Sequence, residues 1–199
     1  AASDVYKRQK GMLIINAAGN EGANDWKMIS FPSDADSVLA VGAIDSKFGV
    51  RTSYSSYGPS KDLNLKPNVT ALGNLYWFNG SSLKKLEGTS FSTPLVTGFA
   101  ACILQNQPYL SAMELMDTIQ KSSSLYPYFD YSHGYGVPRA TLYFNKDTIT
   151  DTTASVALIK SPNYLAEKYY YLQYLNQKGS HIFYQILDKD GFIREYKVV

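Results

Sequence analysis

The run Met12-Leu13-Ile14-Ile15, which closes in Asn16-Ala17-Ala18-Gly19-Asn20-Glu21-Gly22, constrains the fold more than any other stretch. Consecutive apolar residues without alternation read as a strand buried on both faces, and such strands belong to parallel sheets lying between helical layers. The fold class is therefore α/β. Open sheets of this class place their sites at the carboxyl ends of the strands. Small residues there let a ligand backbone approach closely, and the Asn20 amide can aim an N–H at it. Taken alone, Asn20-Glu21-Gly22 is a turn signal and nothing more.

A second segment, Gly88-Thr89-Ser90-Phe91-Ser92-Thr93-Pro94, presents a serine where an apolar helical stretch begins, Leu95 to about Gln105. Ser90 then sits among unpaired N–H groups at the positive end of the helix dipole, where negative charge developing on a bound carbonyl oxygen is stabilised. Pro94 suits a first helical turn, where no N–H is needed. The plain alternative is an ordinary serine N-cap after a glycine-containing loop.

Together the two segments resemble the subtilisin-like serine proteases (subtilases), whose oxyanion segment is Ala-Ala-Gly-Asn and whose nucleophile lies in Gly-Thr-Ser-x-[Ala/Ser]-x-Pro. Three further stretches match in the same order. Phe31-Pro32-Ser33 with Ser37 to Ile44 looks like the next core strand, followed by the loop Tyr54-Ser55-Ser56-Tyr57-Gly58-Pro59. Lys66-Pro67-Asn68-Val69-Thr70-Ala71-Leu72-Gly73 is similar to the family's Lys-Pro-Asp-Val-x-Ala-Pro-Gly, and Tyr135-Gly136-Val137-Pro138-Arg139-Ala140 to its closing Gly-x-Gly-x-x-Asn-Ala. The resemblance covers about Gly11 to Phe144, roughly the second half of such a catalytic domain.

The resemblance implies a partial subtilisin-like parallel sheet with flanking helices, and a serine endopeptidase acting through an acyl-enzyme. Ser90 is its nucleophile, Asn20 and the Ser90 N–H its oxyanion donors, and Ala17, Ala18, Gly19, Gly88 and Thr89 its substrate-binding residues. It also implies a peptide or protein substrate and a secreted or cell-surface bacterial setting. Phe91 stands where the family often has Met, Leu95 where many members have His, and Asn68 and Leu72 depart from the family's Asp and Pro. None of the four touches the chemistry.

A serine hydroxyl needs a base, and the base an orienting carboxylate, which this family supplies in the chain order Asp, His, Ser. The only histidines are His133 and His181, both after Ser90, and the family's Asp-Ser/Thr-Gly and His-Gly-Thr/Ser segments are missing. The triad is incomplete, and this fragment alone is expected to be inactive. Two other readings stay open. One is a non-catalytic binding or scaffold protein of the same fold. The other is a hydrolase with the order Ser, Asp, His, using Asp117 or Asp130 and His133 or His181; no Gly-x-Ser-x-Gly elbow supports it.

A net charge of +2 with scattered Lys and Arg gives no basic stripe for nucleic acid. Ala1 to Lys10 is polar, neither signal peptide nor membrane span, and is either the end of a helix or foreign to the fold. The single cysteine, Cys102, cannot form an internal disulfide and reads as a buried, inert core thiol. No Cys or His cluster has metal-ligand spacing, so no cofactor is expected. Family members often carry structural calcium, but no Asp/Asn loop here matches a calcium motif.

Downstream, Ser111-Ala112-Met113-Glu114 is a capping box opening a helix whose Leu110, Met113, Leu115, Met116 and Ile119 share a face. Ser122-Ser123-Ser124 ends it, and a short turn follows at 140–144. This division gives residues 1–145 as the catalytic-domain half, 146–154 as a linker and 155–199 as a small antiparallel β module. The module's strand-like runs are 155–160, 168–175, 181–188 and 192–199, with Asp190-Gly191 as a hairpin turn.

Overall fold

A computed structural model describes residues 10–144 and, beyond them, the backbone of four strands. Its centre is a parallel sheet of β1 (Ile14–Ala17), β2 (Val38–Ile44) and β3 (Val69–Leu72), in that spatial order. The fold is α/β, as the apolar runs require. β2, with every residue buried, is the central strand. β1 differs from the expectation of full burial: its four residues are only half-buried. It pairs with β2 alone, which makes it an edge strand among the described residues. The opposite edge is covered. Tyr135 N–H donates to Asn68 O and Thr70 N–H to Gly136 O, so the segment around Gly134 runs beside β3.

Between β3 and the Ser90 turn lies an antiparallel hairpin, β4 (Asn74–Phe78) and β5 (Leu83–Glu87). Then come α1 (Thr89–Asn106), α2 (Ala112–Lys121) and α3 (Ala140–Phe144). The core joins Leu39, Val41, Val69 and Ala71 of the sheet to Val96, Ala100 and Ile103 of α1 and Leu115, Met116 and Ile119 of α2. Full burial of such aliphatic side chains contributes about 1.5–3 kcal/mol each. The capping box of α2 forms as its sequence dictates, with the Ser111 side chain accepting from Glu114 N–H and the Glu114 carboxylate accepting from Ser111 N–H.

α1 corrects two expectations. It starts earlier than Leu95, so Pro94 falls inside it rather than in its first turn. There the missing N–H leaves the Ser90 carbonyl without its helical partner. Cys102 is exposed, not buried. The buried positions of α1 are Thr89, Ser92, Val96, Ala100 and Ile103, a stripe of helical spacing that position 102 misses. The opposite side is nevertheless apolar: Leu95 is 54% exposed, Leu104 36%, and Gly98 and Ala101 are exposed as well.

Farther along, β6 (Val156–Lys160) pairs antiparallel with β7 (Tyr170–Tyr174), and β8 (Phe183–Leu187) with β9 (Ile193–Val198). All four strands fall within the runs read from the sequence, arranged as two hairpins. Residues 1–9, the 146–154 linker, the Asp190-Gly191 turn and His181 lie outside the described residues.

Candidate active site

The carboxyl end of β1 delivers Asn20. After Ala17 the chain stays on the sheet for one more residue, since Ala18 N–H donates to Val41 O at 2.9 Å. It then turns through Gly19 at φ +108°, a conformation in which a Cβ would also press within 2.9 Å of Ser56 Oγ. Glycine is the residue that fits there. Ser56 holds the turn from both sides, its N–H donating to Gly19 O and its Oγ accepting from Glu21 N–H. Behind Ala17, Ser33 Oγ donates to Ala17 O and accepts from Asn16 Nδ2.

The end of β3 delivers Ser90. Gly88 N–H donates to Gly73 O at 2.9 Å, and Tyr54 OH donates to the same carbonyl at 2.7 Å, so the start of α1 is tied to the sheet's carboxyl edge. Gly88, not a serine, is the N-cap, and no side chain of the turn caps the helix. The cap comes from Asn20: its Oδ1 accepts from Thr89 N–H at 2.9 Å and from Thr89 Oγ1 at 3.0 Å. Two donors on one oxygen fix the amide's orientation, and Nδ2 is left facing the turn, where a Cβ on Gly88 would stand 3.5 Å from it. Thr89 is wholly buried, while Asn20 and Ser90 are exposed side by side.

Ser90 occupies the second position of α1, where its N–H has no helical acceptor. The site thus offers an exposed hydroxyl, a free backbone N–H and a fixed amide N–H at one sheet edge, a set suited to holding a carbonyl oxygen as it becomes negative. The structure brings Ala17, Ala18, Gly19, Asn20, Gly88, Thr89 and Ser90 together there. Sequence reading missed the part Thr89 plays, although the adjacency of a β-branched hydroxyl to the serine was visible.

His133 is not placed to serve Ser90. The residue is 5% exposed, with Nδ1 2.9 Å from Asp130 Oδ2, and its Nε2 accepts the Arg51 N–H at 3.0 Å. An imidazole whose acceptor lone pair is already taken by a backbone N–H cannot remove a proton from a serine. Asp130 also accepts from the Ser132 and His133 N–H groups, so this acid and histidine form a closed structural clasp. Asp117 is equally occupied elsewhere, paired with Lys121 on the surface of α2. The order Ser, Asp, His through His133 is thereby overturned. Among the described residues no group of three or more His, Cys, Asp or Glu side chains could hold a metal, and no helix is long and apolar enough to cross a membrane.

The family model described as "Peptidase_S8: Subtilase family" matches residues 1–136, from the first residue through the segment beside β3. Subtilisin DY of Bacillus licheniformis is 34% identical over 115 residues, 57% of this chain and 40% of that protein. Subtilisin NAT of Bacillus subtilis subsp. natto is 32% identical over 127 residues, 63% of this chain and 31% of that protein. Among solved structures, Sphericase superposes with a TM-score of 0.58 at 28% identity, covering 70% of this chain and 51% of that one. The S41 psychrophilic protease gives 0.59 at 25%, covering 70% and 52%. The chain therefore spans about 40% or less of these curated relatives and about half of the solved structures.

Proposed function

This chain belongs to the subtilase family, and from that premise we propose that it carries the nucleophile and oxyanion side of a serine endopeptidase site. Ser90 Oγ attacks the scissile carbonyl. The oxyanion that results is held by Asn20 Nδ2 and the Ser90 N–H, while Ala17, Ala18, Gly19, Gly88 and Thr89 line the substrate's approach. The acyl-enzyme on Ser90 is then hydrolysed by water. The observation that carries this reading is the double hydrogen bond from Thr89 to Asn20 Oδ1, which leaves Nδ2 as a pre-set donor beside Ser90.

The base and its carboxylate are not among the described residues of this chain, and the proposal assigns them to sequence outside it. Removing the histidine of a subtilisin costs about as much turnover as removing the whole triad, so this chain alone should retain only a trace of activity. Residues 1–145 constitute the catalytic part, 146–154 a linker and 155–199 an appended β module. A peptide or protein substrate and a secreted or surface-displayed setting in a bacterium belong to the same proposal.

The test is to extend the reading frame upstream of Ala1 and treat both proteins with a fluorophosphonate probe. Asp-Ser/Thr-Gly and His-Gly-Thr/Ser segments upstream, with rapid labelling of the extended protein that disappears in Ser90→Ala, are expected. An extended protein that lacks both segments or takes up no probe sinks the enzymatic reading. The solitary state of Ser90 would then favour a binding or scaffold protein. Rapid stoichiometric labelling of this chain alone would refute the absence of the base.

A further inference from the structure

Strand alternation sends Val69 and Ala71 of β3 toward α1, and therefore Thr70 toward the other face of the sheet. Ile44 of β2 lies on that second face as well. The loop from Ser124 to Val137 arches over these two residues without filling the space, leaving a cavity of about 610 Å³. That volume falls within the ~300–1,000 Å³ typical of pockets that enclose drug-sized ligands. It is separate from the Ser90 turn, which stands at the carboxyl edge where α1 begins.

The chemistry of the walls narrows what could enter. Leu125, Phe129 and Val137 join Ile44 in an apolar lining. Thr70 also lines the space, is wholly buried, and its Oγ1 has no hydrogen-bond partner among the described residues. A buried hydroxyl in that condition calls for a polar atom to meet it. At the mouth stand Tyr128, 74% exposed, and Arg139, whose exposed guanidinium has no ion pair among the described residues. Asp130, which also lines the space, has its carboxylate engaged on the protein's own donors, accepting from two backbone N–H groups and from the His133 Nδ1–H. A lone cation at the rim of an apolar chamber selects an amphipathic anion, its apolar body inside and its charge on Arg139.

We propose that this cavity is a second ligand site, binding an aromatic or aliphatic monoanion such as a medium-chain carboxylate, on the face of the sheet away from Ser90. The test is a titration of the protein with 8-anilinonaphthalene-1-sulfonate, followed by competition with decanoate. Saturation at one dye per chain and full displacement by decanoate are expected. Arg139→Gln should weaken the anionic dye ~10-fold, the size of one lost charge-assisted hydrogen bond, yet leave binding of neutral 1-aminoanthracene unchanged. Tyr128→Ala should weaken both dyes. Both side chains are exposed, so neither variant threatens folding. The proposal fails if the dye does not bind, if several bind per chain, or if both variants bind it as the parent does, since the dye would then be reporting another apolar surface such as the bare side of α1.

Discussion

Raising the pH from 7 to 10 should stabilise this protein through one residue, Lys66. Its side chain is 2% exposed, and its Nζ donates to the carbonyls of Ala35 and Val38 and to Asn68 Oδ1 at 3.0 Å. All three donors are satisfied by neutral acceptors, so the charge itself has no contacting counter-ion among the described residues. Burial accordingly lowers the lysine pKa from 10.5 to about 8, with Asp36 and Asp34 offsetting only part of the effect. Between those two values the unfolded chain holds a proton that the folded one has released, so stability must rise with pH there. At 1.36 kcal/mol per unit, the rise amounts to about 3 kcal/mol. Asn68→Asp places a carboxylate where the amide oxygen accepts from both Lys66 Nζ and Ala40 N–H. Its attraction at that separation is about 5 kcal/mol at an effective dielectric of 20, reduced by several kcal/mol for the desolvation of the new charge. A net gain of about 1–2 kcal/mol at pH 7 follows, together with loss of most of the alkaline rise. The assay is urea unfolding at pH 7, 8, 9 and 10 for the parent, Asn68→Asp and Lys66→Met, the last subtracting every other titration. A parent whose stability relative to Lys66→Met stays level or falls across that range would refute the reasoning.

Four other substitutions probe the site and its supports. In the upstream-extended protein of the proposed function, Asn20→Ala should lower peptidase turnover about 10²–10³-fold with little change in KM, a size carried over from subtilisin's own oxyanion asparagine; steady-state kinetics on a peptide anilide checks it. Thr89→Val keeps the backbone N–H that orients Asn20 but removes the hydroxyl, so about a tenfold loss in kcat is expected, the equivalent of one hydrogen bond. Gly134→Ala puts a Cβ 2.3–2.5 Å from the backbone of Pro67 and Asn68 at φ +61°, and should destabilise by more than about 3 kcal/mol in thermal unfolding. Ser111→Ala removes the α2 cap and should lower stability by about 1 kcal/mol on the same assay.

What the sequence made legible was whatever depends on local pattern. The apolar run at Met12–Ile15 leads into β1, the stretch that resembled the family's next core strand is β2, and Ser111 and Glu114 close their box, whereas β3 lies in a stretch read only as a motif. What stayed hidden depends on neighbours. β1 carries the same apolar run as a central strand and is half-buried only because it pairs on one side. Cys102 was misjudged because α1 is apolar nearly all round, so its periodicity does not say which face meets the sheet. The β4–β5 hairpin went unread although Asn79-Gly80 between strand-like runs is a turn signal, because the exposed Tyr76, Trp77 and Phe78 mimic a core segment. The clasp of His133, Asp130 and Arg51 joins residues 82 positions apart, beyond the reach of any local pattern.

The bare side of α1 gives the protein a built-in gauge. Its sole thiol, Cys102, lies on that side, so the rate at which a maleimide or a disulfide reagent consumes it measures how open the surface is. Modification near the rate of free cysteine means an uncovered helix. Slow modification that quickens on dilution means copies shielding one another, while slow modification at every concentration means cover supplied from within the same polypeptide. One reagent and a dilution series therefore report the state of assembly without any substrate or any catalytic turnover.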